Sequence, residues 1–328
     1  MTNHFSALEE LQNFTLVSDT SSIIGGSFHD FPNIPNNLKL SWVEDGFIVL
    51  KSVCSPDQVS KYNSIVEEAR ASIGNLKDSH GLGDRIGQLH QRNPELLNIL
   101  SDHRVMDFIK WAFNDDPYVM GSLNFEKGTQ QESHVDAIFF WPSPHYSMCG
   151  CWIALEDIHE DSGPLFYLPG SHRWPFFRSE DLARVDTDFA KLLLSAKSEH
   201  NEQKSESIGK LGLIWSRNLL NMEKLYGTNR IPVTLKAGDA VIWHSLLAHG
   251  GMPVANPTLS RKSVAFHFMG QRSKLYTNEQ FFIFSNEDLL NEQPFPIDLA
   301  QYGNIPYSSV NHFVSYEEGV QKIHKLSK

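Results

Sequence analysis

The hydrophobic positions of this chain fall in short blocks whose spacing changes along its length. Residues 1–40 are polar, with a Gly-Gly pair and two prolines, and read as an arm laid over the surface. Trp42 to Leu50 reads as a helix end or turn followed by a strand. Ser55-Pro56-Asp57-Gln58 is a helix start: Ser55 caps, Pro56 suits the first helical position and Gln58 completes a capping box. That helix is predicted to about Ile73, and a glycine-rich polar loop with Gly74, Gly81, Gly83 and Gly87 follows. Asn93-Pro94 opens a second helix to about Phe113, with Leu96, Leu97, Leu100, Phe108 and Trp111 on its buried face.

Strands then dominate. They are predicted over Tyr118–Glu126, around 134–141, over Ser147–Leu155 and Leu165–Leu168, from Gly238-Asp239 to His249, and over 260–268. Ser179 opens a helix to about Ala196, and Leu213–Tyr226 is helical. Residues 197–212, rich in Lys and Glu, read as an exposed loop or a mobile lid. Phe281–Ser285 is expected to add an edge strand, and a helix near 317–325 to close the chain. Many short strands with Gly and Pro turns predict a mainly β fold with flanking helices, a double-sheet jelly roll. One domain is expected over 1–328: the arm, a jelly-roll core at 118–270 with an insertion at 173–230, and an extension at 271–328.

Composition narrows the function classes. A net charge of -11 argues against nucleic-acid and anionic-membrane partners, because no basic surface is implied. No stretch approaches the roughly 20 apolar residues of a membrane helix, and the first residues carry no secretory pattern. Three cysteines make no disulfide framework and read as buried thiols in a reducing cytoplasm. The sequence carries no sign of oligomeric state.

The candidate chemistry centres on His134-Val135-Asp136. On a strand, alternate side chains share a face, so an imidazole and a carboxylate would project together. The third ligand comes from the strand ending at His249, ahead of Gly250-Gly251; His244, five residues earlier, reads as a core or supporting histidine. Two histidines and one carboxylate leave three adjacent positions of an iron open, the pattern of non-haem Fe(II) oxygenases. Arg261 can grip a carboxylate at two points, and Ser263 could add a hydroxyl on the same face. Strand parity sends Lys262 the other way. His267 shares the Arg261 parity and points either into the barrel or into a structural role. Arg85 and Arg92 could approach the site from the glycine-rich loop, and His172, Arg173 and Arg178 line the entrance or sit on a solvated rim.

Three blocks carry a resemblance to the phytanoyl-CoA dioxygenase-like Fe(II)/2-oxoglutarate oxygenases. They are His134-Val135-Asp136; Trp152 to Asp157 with Gly163-Pro164-Leu165 and Pro169-Gly170-Ser171-His172; and Gly238-Asp239 through His249-Gly250-Gly251 to Arg261. The resemblance implies a double-stranded β-helix, with Fe(II) on His134, Asp136 and His249. It also implies 2-oxoglutarate as co-substrate with O2, Arg261 on its far carboxylate and Trp152 lining its pocket. Asn124 and Gln131 are further candidates for its carboxylate near iron, against a local hydrogen-bonding role for each. The implied reaction hydroxylates an unactivated C–H of a small-molecule or carrier-linked substrate, releasing succinate and CO2. Desaturation, ring closure or a non-catalytic jelly-roll binding protein remain as alternatives. Related halogenases lack the carboxylate, so Asp136 points to hydroxylation.

Overall fold

The computed structural model describes residues 23–73, 85–310, 315–317 and 320–322. In chain order the elements are α1 (Asn36–Glu44), β1 (Phe47–Leu50), α2 (Pro56–Ile73), β2 (Arg85–Gly87), α3 (Leu89–Arg92), α4 (His103–Phe113), β3 (Pro117–Phe125), β4 (Phe140–Ser143), β5 (Met148–Ala154) and β6 (Leu165–Tyr167). Then come α5 (Ser179–Val185), α6 (Thr187–Ser198), α7 (Asn201–Tyr226), β7 (Ile231–Val233), β8 (Ala240–His244), β9 (His249–Gly251), β10 (Ser263–Gly270), β11 (Lys274–Thr277), α8 (Asn278–Ile283), α9 (Asn286–Asn291), β12 (Leu299–Tyr302) and β13 (Ile305–Ser308).

The major sheet runs β1-β8-β5-β10-β3-β13-β12, with β2 paired to β3. A smaller sheet, β7-β6-β9, faces it, and β4 pairs with β11. Register decides which side chains meet between the sheets. Val241, Trp152 and Ala265 lie opposite one another across β8, β5 and β10, and with Trp243, Tyr167 and Leu247 they fill the space between the layers. The alternate positions Ile242, Cys151 and Phe266 face outward, against Trp42 of α1, Tyr62 of α2 and Phe108 of α4. A third apolar cluster packs α5 to α8 onto the back of the small sheet, through Phe166, Val135 and Ala248. The two sheets are thus a jelly roll with a helical layer behind each face.

The Ser55–Gln58 capping box forms as its spacing requires: Ser55 N–H donates to Gln58 Oε1 (2.9 Å) and Gln58 N–H to Ser55 Oγ (3.2 Å). Several expected elements differ. Residues 197–212 are helical: α6 ends at Ser198 and α7 begins at Asn201. Ile208, Leu211, Trp215, Leu219 and Met222 recur every three or four residues and are all buried. Burial of each contributes about 1.5–3 kcal/mol, enough to hold the helix down. Of the charged residues that suggested a loop, Glu206 and Lys210 pair on its exposed side (2.7 Å), and Lys204 reaches Glu279 of α8 (2.8 Å). Asp186 splits the helix predicted from Ser179 by capping α6. Asp102 likewise caps α4, leaving Pro94–Leu100 as a 3-10 turn.

The expected edge strand at 281–285 is α8 instead, started by a Thr277–Gln280 capping box that turns Phe281 and Phe282 inward. Where a closing helix is expected near 317–325, Ser315–Glu317 and Val320–Lys322 pair as antiparallel strands; residues 318–319 and 323–325 of that expectation lie outside the described residues. So do residues 1–22 of the arm and most of the glycine-rich loop. The part of the arm at 36–40 belongs to α1. Among the described residues no helix is long and apolar enough to cross a membrane, and Cys54, Cys149 and Cys151 are buried and free.

Candidate metal centre

The two histidine segments do not form the strands expected of them. The apolar run from 240 breaks after His244, and the chain crosses from the major sheet to the small one before β9 starts at His249. His134 forms a single antiparallel bridge to His249, with N–H to carbonyl bonds of 2.9 and 3.0 Å in the two directions. Asp136 then opens a 3-10 turn over Asp136–Ile138. Gly250 and Gly251 lie within β9. A Cβ at Gly250 would lie 2.6 Å from the Gln131 carbonyl oxygen and 2.8 Å from the Phe166 ring. Only glycine lets the 130–134 segment come this close.

His134, Asp136 and His249 offer ligand atoms that all lie within 4.8 Å of one another. The Asp136 Oδ1 atom is 3.9 Å from His134 Nε2 and 3.6 Å from His249 Nε2. Each histidine donates its Nδ1–H to a backbone carbonyl, His134 to Glu132 and His249 to Leu247, both at 2.9 Å. Those bonds select the tautomer that leaves Nε2 with a free lone pair. The other carboxylate oxygen, Oδ2, accepts the Trp243 indole N–H at 2.8 Å and lies 3.7 Å from His267 Nε2.

Burial alone would raise the Asp136 pKa; the neighbouring His249, His267 and His134 outweigh it and hold the carboxyl well below its usual range. Burial, with His249 beside it, lowers His134 to about 3, so its imidazole is neutral. Two imidazoles that present Nε2 and one ionised carboxylate, grouped within 4.8 Å of one another, fit a divalent transition metal.

His244 is elsewhere. It lies on the outer side of the major sheet, 5.7 Å from the Trp42 ring and 5.5 Å from the His172 ring. Trp243 and His267 reach the site by parity, since both sit on the inner face. Gly150, their neighbour on β5, makes room: a Cβ there would lie 2.0 Å from the Trp243 ring. A lone glycine inside the apolar strand Cys149-Gly150-Cys151 was the available signal for this close approach.

Arg261 is fully buried in the same inter-sheet layer. Its Nη1 donates to the Gly163 carbonyl (3.2 Å), and its guanidinium lies 5.5 and 5.8 Å from the Phe125 and Trp152 rings. Among the described residues it has no ion pair, and its Nε has no hydrogen-bond partner. The Trp152 Nε1 and the Tyr167 hydroxyl are also buried and unpartnered. Burial lowers the Arg261 pKa to about 10, partly opposed by Tyr167. Tyr167 connects the two places, with its ring 5.8 Å from that of His249. It lay in the predicted strand Leu165–Leu168, but its role needed the register that sets it opposite His249. Lys262 turns outward to Glu67 (2.8 Å).

The remaining candidates divide. Gln131 is at the centre, its amide Nε2 3.3 Å from His134 Nε2. Ser263 is buried beside Arg261, but its hydroxyl donates to the Arg261 carbonyl (3.1 Å). Asn124 is not brought to the cluster. It pairs with Val264 on the outward face, accepts from the Tyr62 hydroxyl (2.7 Å) and donates to the Ile86 carbonyl (3.2 Å). One residue of strand parity separates the two faces.

A double-stranded β-helix with a two-histidine, one-carboxylate cluster between its sheets defines a class of proteins, and comparison with known ones narrows it. Residues 42–263 match the family described as phytanoyl-CoA dioxygenase (PhyH), and the chain belongs to that family. It is 24% identical over 220 residues to the phytanoyl-CoA dioxygenase domain-containing protein 1 of Danio rerio, covering 65% of this chain and 64% of that protein. This chain spans less than two thirds of the length of that relative and of its Rattus norvegicus counterpart, at 64% and 57%. Two crystal structures share the fold. The epimerase SnoN, in complex with Fe3+, alpha ketoglutarate and nogalamycin RO, has a TM-score of 0.55 at 15% identity, over 84% of this chain and 98% of that one. EctD from S. alaskensis, with 2-oxoglutarate and 5-hydroxyectoine, has a TM-score of 0.52 at 17% identity, over 78% and 83%.

Proposed function

We propose that this protein is an Fe(II)/2-oxoglutarate-dependent dioxygenase that hydroxylates a C–H bond of a small-molecule or carrier-linked substrate. The observation that carries the reading is the uncompensated Arg261. A buried guanidinium without a counter-ion is costly, and here it lies in one layer with two further unpartnered donors, Trp152 Nε1 and Tyr167 OH. A carboxylate of the co-substrate supplies what all three lack.

His134, Asp136 and His249 are the residues that would hold the iron. Bound iron, 2-oxoglutarate and O2 supply the oxidising chemistry, with succinate and CO2 as co-products. The chain supplies geometry. The Glu132 and Leu247 carbonyls fix the imidazoles, Trp243 and His267 hold one oxygen of Asp136 so that the other faces the metal, and the apolar layer around Trp152 and Trp243 excludes water. Gln131, whose amide meets His134 Nε2, would give up that contact to a bound metal and would then be available to the co-substrate. Placement of Asp136 between the histidines favours hydroxylation over halogenation. A cytoplasmic location is part of this reading, supported by three free cysteines.

The test is succinate release from 2-oxoglutarate in the presence of Fe(II) and O2. Release that requires all three and is lost in Arg261→Ala supports the proposal; no release with any candidate substrate, together with no 2-oxoglutarate binding, rejects it.

A further inference from the structure

The helical insertion reaches the metal centre from behind. Ser133 precedes His134 and, by alternation, points the opposite way; its side chain is fully buried. Its hydroxyl donates to Glu223 Oε2 on α7, at 3.1 Å. The same carboxylate takes Arg230 in a two-point grip, Nε to Oε1 at 2.5 Å and Nη2 to Oε2 at 3.0 Å. Arg230 Nη2 also lies 3.5 Å from the Ser133 hydroxyl. Gly227, with a φ of 60°, ends α7 in the left-handed conformation and lets the chain return Arg230 to a residue seven positions back.

Arg230 extends the link to the other histidine. Its guanidinium lies 4.5 Å from the Phe166 ring, and Phe166 pairs with Gly250, next to His249. One carboxylate on α7 therefore ties together the segments that present both histidines. The His134 segment needs such a tie. Apart from its bridge to His249 and the Gly251 N–H bond to the Gln131 carbonyl (2.8 Å), residues 128–135 have no strand partner. A bridge of one residue fixes position poorly against rotation about the chain, and a bond on the opposite face removes that freedom.

We infer that Glu223 is a positioning residue for the metal centre, acting through Ser133 on His134 and through Arg230 on the strand layer of His249. This rests on the proposed iron site. The insertion is then, through Glu223, a support for the ligand set.

The test uses Co(II) as a spectroscopic metal, titrated into the metal-free full chain, with circular dichroism and thermal unfolding as fold controls. Ser133→Ala deletes one hydroxyl and leaves the Glu223–Arg230 pair intact. Glu223→Gln keeps the size and removes the charge. Removing groups that orient metal ligands typically weakens metal affinity about 10–100-fold, and one step further out the expectation is about three- to tenfold for each variant. The Co(II) spectrum should also shift, because the segment that carries His134 is held less firmly behind its bonds to Glu132 and His249. Since glutamine at 223 can still accept from the Ser133 hydroxyl, the double variant is made with Glu223→Ala, and it should lose little more than Glu223→Ala alone. Unchanged Co(II) affinity and spectrum in folded Ser133→Ala, with only a lower melting temperature in Glu223→Gln, would make the cluster a purely structural tie and overturn the inference. Additive losses in the double variant would overturn the route through Ser133. If the parent protein fails to bind Co(II), or binds it equally well as His134→Ala, the iron site itself is wrong and this inference falls with it.

Discussion

Replacing Arg261 by methionine should stabilise the ligand-free protein while abolishing its response to 2-oxoglutarate. Arg261 is fully buried, has no ion pair among the described residues and leaves Nε unpartnered. Burial lowers its pKa from 12.5 to about 10, which corresponds to about 3 kcal/mol of charge burial that the apo fold carries at neutral pH. Methionine has similar length and no charge. It forfeits the bond to the Gly163 carbonyl and the contacts of the cation with Phe125 and Trp152, so the net gain should be about 1–2 kcal/mol. In a domain of this size that raises the melting temperature by about 2–4 °C.

Ligand reverses the order. At a concentration 100-fold above its dissociation constant, 2-oxoglutarate stabilises the parent protein by about 2.7 kcal/mol and the variant not at all. Thermal unfolding of both proteins, with Mn(II) and with or without 2-oxoglutarate, measures all four states. A variant less stable than the parent without ligand would show that Arg261 is already compensated. A variant that keeps its 2-oxoglutarate shift would show that the carboxylate binds elsewhere.

His249→Ala should remove most Fe(II) affinity in a titration and His244→Ala little, because only the former faces Asp136; the reverse result would move the third ligand. Trp243→Phe deletes the indole donor to Asp136 Oδ2, a bond to a charged group worth about 1.5–3 kcal/mol, and should weaken Co(II) binding at least tenfold while the inter-sheet core stays filled; equal affinity would refute that role. Lys262→Ala should leave the 2-oxoglutarate requirement within about twofold of the parent, since Lys262 faces Glu67 on the surface, whereas Arg261→Ala raises it at least tenfold; equal effects would refute the parity argument. Acid should destabilise the metal-free protein early. Burial lowers both His90 and His172 from 6.5 to about 3, so each binds its proton in the unfolded chain first. Their contribution is present above pH 6.5 and is lost as pH falls, about 2 kcal/mol from each by pH 5, so an unchanged urea midpoint between pH 7 and 5 would contradict their neutral burial.

The sequence by itself determined the class of fold and most of the chemistry. Short alternating blocks required two sheets, and the Ser55–Gln58 box announced its helix because the signal is local. His134, Asp136, His249 and Arg261 stood out because they fall in three motif blocks that, in this order, resemble the phytanoyl-CoA dioxygenase-like family, whereas His134-Val135-Asp136 alone is a weak signal. What tertiary structure decided was everything that depends on register, partner layer or contacts distant in sequence. Asn124 went to the outer face because it pairs with Val264, while Trp243 and His267 reached Asp136 because Gly150 cleared the space between them. The break after His244 was invisible in a continuous apolar run, since a strand that changes sheets keeps its hydrophobicity. The polar stretch 197–212 misled for a related reason: its exposed pair Glu206–Lys210 lies on a helix whose buried residues, Ile208 and Leu211, pack in a cluster with residues far along the chain. Only the packed structure shows that the far end of that helix holds Ser133, one residue from His134.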